Sequence, residues 1–197
     1  YGKDIEFKLE KRYPDWLLES LQMSMSFDGT DSYNVSAQNV TAQTYVLESP
    51  ALYQVTAASK VENTRTFELN GQYTIAENDG FSTQGKWGLK GHQLSAKSLS
   101  KNKNLTVKLA SGGVNGNGEY VYHQTLDSQA KLSFVDTVFE GTSDSEIADL
   151  TLNTLKGINE FGLDIGVKGQ LDAPDTSIKS DLDNRLNKAF KQAVKNR

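Results

Sequence analysis

Apolar and polar residues alternate along most of this chain, with the two-residue period of a β-strand that buries one face. The clearest example spans residues 159–171, where the charged residues fall mainly on even positions. Its odd positions are Asn159, Phe161, Leu163, Ile165, Val167, Gly169 and Leu171. The next four residues, Asp172-Ala173-Pro174-Asp175, predict a turn, because proline cannot donate to a strand ladder. A short strand is expected to follow at residues 176–179.

The same alternation recurs upstream. Leu21, Met23, Met25 and Phe27 alternate with polar residues before a turn at 28–31, and the alternation resumes at Tyr33, which indicates a β-hairpin. Further alternating runs lie at residues 44–47, 52–57, 65–69, 72–76, 81–89, 105–109, 114–122 and 129–139. Glycine or asparagine lies at most breaks, and segments 70–71, 78–80, 90–92 and 101–104 are expected to connect consecutive strands. The simplest topology is a long antiparallel meander.

Two segments near the C-terminus change to helical spacing. Ser143-Asp144-Ser145-Glu146 has the form of a capping box, and apolar residues then recur at three- and four-residue intervals, which predicts a helix at 143–158. A second helix is expected at 181–195. Its apolar stripe comprises Leu182, Leu186, Ala189, Phe190 and Val194. Acidic residues at its start and basic residues along the rest follow the charge order that the helix dipole favours.

The fold class predicted from these patterns is mainly β. We expect a long, curved antiparallel meander sheet, shaped as a groove or closed as a sandwich, with two short amphipathic helices that pack on it. Nothing marks a domain boundary, so residues 1–197 are expected to form one domain. The chain begins at Tyr1, and residues 4–9 already alternate, which favours a fragment of a longer protein.

Composition excludes some classes of function. A formal net charge of −4 and a pI near 5.3 argue against a nucleic-acid-binding protein, which needs a surplus of Lys and Arg on one face. The absence of cysteine excludes disulfides and thiolate metal sites. No run approaches the roughly 20 apolar residues of a membrane-spanning helix. Any anchor or export signal is therefore expected upstream of this chain.

Candidate catalytic and metal-binding residues are few. His92 and His123 have no second histidine at ligand spacing, and no Gly-x-Ser-x-Gly motif exposes a nucleophile. Turn chemistry and helix capping account for the acidic residues Asp172, Asp175, Asp181 and Asp183. The glycine-rich segment 112–118 precedes a strand pattern and not a helix, so it favours a loop or a bulged strand over a phosphate site. We predict no catalytic residue, no metal and no cofactor.

Three short motifs resemble a known family. Gly169-Gln170-Leu171-Asp172-Ala173-Pro174 and Ser180-Asp181-Leu182 stand where AsmA-like envelope proteins of Gram-negative bacteria, including the TamB and YhdP types, carry a Gly-x-Leu-x-x-Pro turn and a Ser-Asp-Leu helix start. Tyr13-Pro14-Asp15-Trp16-Leu17-Leu18 is similar to the start of one uncharacterised branch of these proteins. Recognisable pattern covers about a fifth of the chain.

The resemblance implies an apolar groove that holds lipid, and a role in phospholipid transport or outer-membrane biogenesis. Alternation alone indicates only a half-buried sheet. The candidate lining residues, of a lipid groove or of a core, are Met23, Met25, Phe27, Phe81, Trp87, Phe134, Phe161, Leu163 and Ile165. A structural or protein-interaction domain with a filled core is the first alternative. A hydrolase would require one histidine to meet a serine and a carboxylate in a pocket.

The partners and the compartment follow from the same resemblance. Phospholipid or fatty acyl chains and an envelope protein are the expected partners, and nucleic acid is not expected. The chain is expected in the periplasm, tethered to the inner membrane only by an anchor upstream of Tyr1.

Overall fold

The computed structural model describes residues 13–27, 31–59, 65–78, 80–101 and 104–195. Only the backbone is described for Phe27, Lys101, Ala189, Phe190 and residues 192–195. The alternating segment 4–9 and most of the turn expected at 28–31 lie outside the described residues. The same holds for the side chains of Ala189, Phe190 and Val194 on the predicted helical stripe.

The described chain forms ten strands and three helices. The strands are β1 (Leu18–Phe27), β2 (Asp31–Val40), β3 (Ala51–Ser59), β4 (Thr66–Ala76), β5 (Gly80–Gln93), β6 (Lys97–Lys101), β7 (Leu105–His123), β8 (Thr125–Ser143), β9 (Phe161–Gln170) and β10 (Ala173–Ser180). The helices are α1 (Thr44–Leu47), α2 (Glu146–Lys156) and α3 (Leu182–Lys195).

All ten strands belong to one open antiparallel sheet. Its order is β1-β2-β3-β4-β5-β7-β8-β9-β10, and β6 pairs with β7 beyond the end of β5. Apart from β5 and β7, which β6 separates along the chain, neighbours on this path are consecutive strands, as short connections favour. The predicted mainly β fold and its meander order are confirmed, and the single sheet excludes the sandwich.

Strands β7 and β8 form the longest hairpin of the sheet. Each has 19 residues, which corresponds to a length of roughly 60 Å at about 3.3 Å per residue. Their register shifts between Leu109 and Gly113, within a bulged region that also contains Asp136 at a positive φ of 50°. Bulges bend a strand. The glycine-rich segment 112–118 lies in this strand, so the bulged-strand interpretation is the correct one.

Helices α2 and α3 cover one end of the sheet. The buried cluster there comprises Val107, Leu109, Phe139, Leu152 and Ile158, with Phe161, Leu182 and Leu186 packed against it. Both helices were predicted from the sequence, but the predicted capping residue of α2, Ser143, was wrong. Ser145 is the cap, since its Oγ accepts a hydrogen bond from the Ala148 backbone N–H at 3.3 Å. Ser143 Oγ instead donates to Asp149 Oδ1.

Several local predictions were wrong for a shared reason. Segment 44–47 is a helical turn and not a strand, because the buried Thr44 side chain bonds both the N–H and the C=O of Ile75. Segments 70–71 and 90–92 lie inside β4 and β5 and not between strands. The turn predicted at 172–175 is at residues 171–172, and Pro174 is in β10, the edge position that tolerates proline. In each case tertiary contacts override the local turn signal.

Candidate ligand-binding face

Strand register divides the sheet into two chemically different faces. Residues directly opposite each other in antiparallel strands point to the same face. The apolar face comprises the odd-numbered residues of β1 to β4, of 81–89 and of β9, together with the even-numbered residues of 114–122, 126–134 and β10. The other side is the polar face. All nine candidate residues predicted from the sequence belong to the apolar face.

Those nine residues do not share one environment. Phe134 and Phe161 stack at 4.5 Å beside the helix-covered cluster, and Phe139 lies 6.4 Å from Phe161. Met25, Trp87, Leu163 and Ile165 are half-buried, whereas Met23 is 43% and Phe81 47% exposed. The side chain of Phe27 lies outside the described residues. The candidate set thus divides into a covered end, formed by Phe134 and Phe161, and an open expanse.

The open expanse of the apolar face carries no charge. From β3 across to β10, its described positions include no Asp, Glu, Lys or Arg, with β6 and the ends of β5 and β7 set aside. Charged side chains of these strands lie on the polar face, where Lys168 pairs with Asp127 at 2.9 Å and Lys86 approaches Glu119 at 3.9 Å. An ion placed on the open expanse would therefore find no countercharge there.

Aromatic rings lie flat across the apolar face. The ring of Tyr53 lies over Gly71, the hydroxyl end of Tyr120 over Gly85, and the indole of Trp87 over Gly116 and Gly118. A Cβ added to Gly118 would stand 2.5 Å from Trp87 Nε1 and 2.8 Å from the carbonyl of Gln129. These glycines are needed for close approach, because any larger residue would collide with the ring above it.

Three hydroxyl groups meet in the middle of this face. Thr83 Oγ1 donates to the carbonyl of Gln72 at 2.9 Å, which uses its one proton. Tyr53 must then be the donor in its 2.8 Å bond to Thr83. The Tyr53 hydroxyl also bonds the Tyr120 hydroxyl, so Tyr120 must be the donor in that pair. The hydrogen bonds therefore run in one direction, from Tyr120 through Tyr53 and Thr83 to the backbone.

The pKa of Tyr120 is consistent with this arrangement. Burial, with the hydrogen bond to Tyr53 as the second cause, raises the pKa of the Tyr120 phenol to about 12. Tyr120 therefore keeps its proton throughout the physiological range, and that proton is engaged with Tyr53. Sequence reasoning missed this group, since tyrosine and threonine at alternate strand positions carry no motif. Gly71 and Gly85 were the available signal, but the first was interpreted as a turn.

A polar joint holds α3 against β9 at the covered end. The Gly162 N–H donates to Asp181 Oδ1 at 2.7 Å, and Ser180 Oγ donates to the Gly162 carbonyl at 3.2 Å. Arg185 donates from Nε to Asp181 Oδ2 at 2.9 Å. The hydrogen bond from Gly162, with Arg185 as a further cause, lowers the pKa of the Asp181 carboxyl below its usual value. Ser180 and Asp181 of the Ser-Asp-Leu motif thus fix the start of α3.

The two faces also differ in relief. An open depression of about 830 Å³ lies on the polar face, between Asn70, Lys86, Glu119 and Gln129. A smaller one of about 310 Å³ lies at the edge of the apolar face, where Tyr33, Phe67 and Leu89 meet the ion pair of Arg65 with Asp31. The polar depression has exposed, charged walls that water already solvates. Neither depression encloses a ligand-sized cavity.

The residues weighed for catalysis or metal binding do not converge. His123 pairs in register with Ser82 near the start of β5, whereas His92 lies near its other end. Across the described part of the chain, no group of three or more His, Asp or Glu side chains could hold a metal ion. Asp175 pairs in register with Lys168, and Asp181 is engaged with Gly162 and Arg185.

No described helix combines the length and the apolar character needed to cross a bilayer. Comparison of the chain with protein-family models, with curated proteins and with solved structures gave no match.

Proposed function

We propose that this chain is a non-catalytic module that binds lipid acyl chains on its apolar face. The observation that carries the proposal is the open expanse, the uncharged part of the apolar face from β3 to β10, which α2 and α3 cover at one end only. A face of this kind needs a cover, because exposed hydrocarbon is costly in water. An acyl chain supplies that cover.

Exposure along the face matches this role. Met23 at 43%, Phe81 at 47% and Ile178 at 65% retain surface that a ligand would bury. Each methylene buried against such side chains contributes roughly 0.8 kcal/mol, so contact along part of one chain gives useful affinity. The methionines of β1 suit ligands of variable shape, since their side chains are unbranched and polarisable.

The cellular setting of the proposal comes from the sequence motifs. The AsmA-like resemblance supports a role in phospholipid transport or outer-membrane biogenesis in the periplasm of a Gram-negative bacterium. Membrane attachment would come from a segment upstream of Tyr1, and an envelope protein is the expected partner. The Ser180–Asp181 joint gives the Ser-Asp-Leu motif a structural role in fixing α3, whatever the ligand.

The test is direct recovery of lipid. The protein is purified from bacterial cells without detergent, extracted with organic solvent and analysed by mass spectrometry beside an unrelated protein purified in the same way. We expect acyl lipid to be enriched in the first extract. A lipid-free protein that also leaves fluorescent fatty acids unbound would contradict the proposal.

An interaction module is the second candidate, and strand β1 favours it. Among the described residues, no strand pairs with the outer edge of β1, and Glu19 is its one charged residue. The opposite edge, β10, carries Pro174, Asp175 and Lys179, which discourage pairing with another chain. A lipid-free protein that forms a stable complex through β1 would support this candidate.

A further inference from the structure

The direction of the hydroxyl chain limits what the apolar face can recognise. Each hydroxyl donates one proton, and all three protons of Tyr120, Tyr53 and Thr83 are already engaged. Oxygen lone pairs remain, and those of Tyr120 are the most available, since the protons of Tyr53 and Thr83 are both engaged elsewhere. The group can accept a hydrogen bond from a ligand but has no proton left to donate.

The lack of charge on the open expanse also limits which ligands this face can bind. A carboxylate or phosphate is held best by a cation, and the described positions of the open expanse include no Lys or Arg. The nearest charged pair, Arg65 with Asp31, lies at the edge of this face. The two side chains neutralise each other, with Arg65 Nη2 at 2.6 Å from Asp31 Oδ1. An anion over Tyr120 would lose its hydration without replacement.

We propose that the polar end of the ligand that rests on this face is an uncharged hydroxyl group, as in an acylglycerol or a fatty alcohol, and that it donates its hydrogen bond to Tyr120. This inference rests on the proposed function and specifies its ligand class. Aromatic rings of Tyr53 and Trp87 flank the hydroxyls, so the acyl chain of such a ligand extends over apolar surface on either side. A phospholipid would bind with its phosphate beyond the edge of the face.

The experiment compares three ligands that share a twelve-carbon acyl chain. 1-Dodecanoylglycerol offers hydroxyl donors, methyl dodecanoate is uncharged and has no donor, and dodecanoate is an anion at pH 7.5. Trp16→Phe leaves Trp87 as the single tryptophan of the chain, and its fluorescence reports binding on the same face. We expect the glycerol ester to bind about five- to tenfold more tightly than either of the others, the range of one net hydrogen bond.

Two variants in this background locate the contact. Tyr120→Phe should lower the affinity for the glycerol ester to that for the methyl ester and leave the methyl ester unchanged. Tyr122→Phe is the matched control, because Tyr122 lies on the same face, two residues further along β7, and its ring centroid lies 6.3 Å from that of Phe81. It should leave all three affinities unchanged.

Thr83→Val tests the direction of the hydrogen bonds between the three hydroxyls. It removes the acceptor for Tyr53 and so frees a tyrosine proton. Dodecanoate should then bind several-fold more tightly than it does before the substitution, whereas a merely structural role for Thr83 would weaken all three ligands alike.

The failures of the two proposals are distinguishable. If none of the ligands perturbs Trp87 and no lipid co-purifies, acyl-chain binding itself is wrong. If the ligands bind but dodecanoate equals or exceeds the glycerol ester, or if Tyr120→Phe weakens the methyl ester equally, acyl binding survives and the hydroxyl-donor inference is overturned.

Discussion

Gly71, Gly85 and Gly118 each lie beneath an aromatic side chain from a neighbouring strand. Glycine inside a strand usually weakens it, because glycine has no side chain to pack and gains most freedom on unfolding. Here the aromatic ring supplies the missing contact and covers the backbone. Gly71 and Gly85 also bring the Tyr53 and Tyr120 hydroxyls within hydrogen-bonding reach across two intervening strands. A single residue type thus shapes both the packing and the polarity of the face.

Gly118→Ala is expected to destabilise the protein by about 1–3 kcal/mol, the usual cost of overpacking. Its new methyl group would collide with Trp87 and with the carbonyl of Gln129. Gly88→Ala is the control, because Gly88 lies on the polar face of β5 with open space around it. That substitution should be neutral or slightly stabilising. Urea unfolding of both variants measures the difference; equal stabilities would mean that Trp87 moves away freely.

At the scale of elements, the covered end of the sheet depends on how α3 begins. Helix α3 has no long connection to position it, since Leu182 follows β10 after a single residue. Asp181 and Ser180 both bond the backbone of Gly162 in β9, and Asp181 also holds Arg185 one helical turn later. These bonds orient α3 so that Leu182 and Leu186 pack against the buried cluster.

Asp181 should make the stability of this end depend on pH. Because its pKa is lowered in the folded protein, mainly by the Gly162 hydrogen bond, the unfolded chain takes up the proton first. The stabilisation is thus present above the unfolded pKa of about 3.9 and is lost as the pH falls through the lower folded value.

Asp181→Asn should cost about 0.5–1 kcal/mol at pH 7, the scale of a helix cap, because the site is partly exposed. It should also flatten the change in unfolding free energy between pH 7 and pH 3. Asp183→Asn, in the exposed first turn of α3, serves as the control. A pH dependence that survives in the Asp181 variant unchanged would exclude this carboxyl as its origin.

At the scale of the whole molecule, one sheet combines a sealed hydrophobic core with an unsealed apolar surface. Phe161 belongs to the first, because it stacks on Phe134 and packs against the helix-covered cluster. Ile165, four residues along the same strand and on the same face, belongs to the second. It pairs in register with Ala130 and Ile178, and Ile178 is largely exposed. The same face therefore carries both stability and the proposed binding.

This division predicts different outcomes for two similar substitutions. Phe161→Asp should unfold the domain or cost more than about 3 kcal/mol, because a charge would enter the core. Ile165→Asp should leave a cooperatively folded protein, destabilised by about 1 kcal/mol, and should abolish lipid uptake. Circular dichroism and lipid binding separate the effects, with Asp164→Asn on the polar face as the control. Unfolding of both variants would indicate a filled core and favour the interaction module.

The parts of the fold that could be predicted from the sequence are those that depend on local period. Alternation placed Met23, Trp87, Phe134 and Ile165 on one face, since strand side chains alternate whatever the tertiary structure. Strand ends were harder, because Gly71 and Gly91 give turn signals that neighbouring strands override. The hydroxyl chain could not be predicted, because Tyr53, Thr83 and Tyr120 meet only through the register of four strands.

The nearly consecutive order of the strands in the sheet has a consequence for biosynthesis. Every strand from β2 onward except β6 finds a partner already made when it leaves the ribosome, so pairing needs no distant segment and proceeds along the nascent chain. The residues that seal the core, in α2, β9 and α3, emerge after every strand of the core that they cover. A chain halted before Glu146 would therefore expose Val107, Leu109 and Phe139 as an uncovered apolar surface available to chaperones.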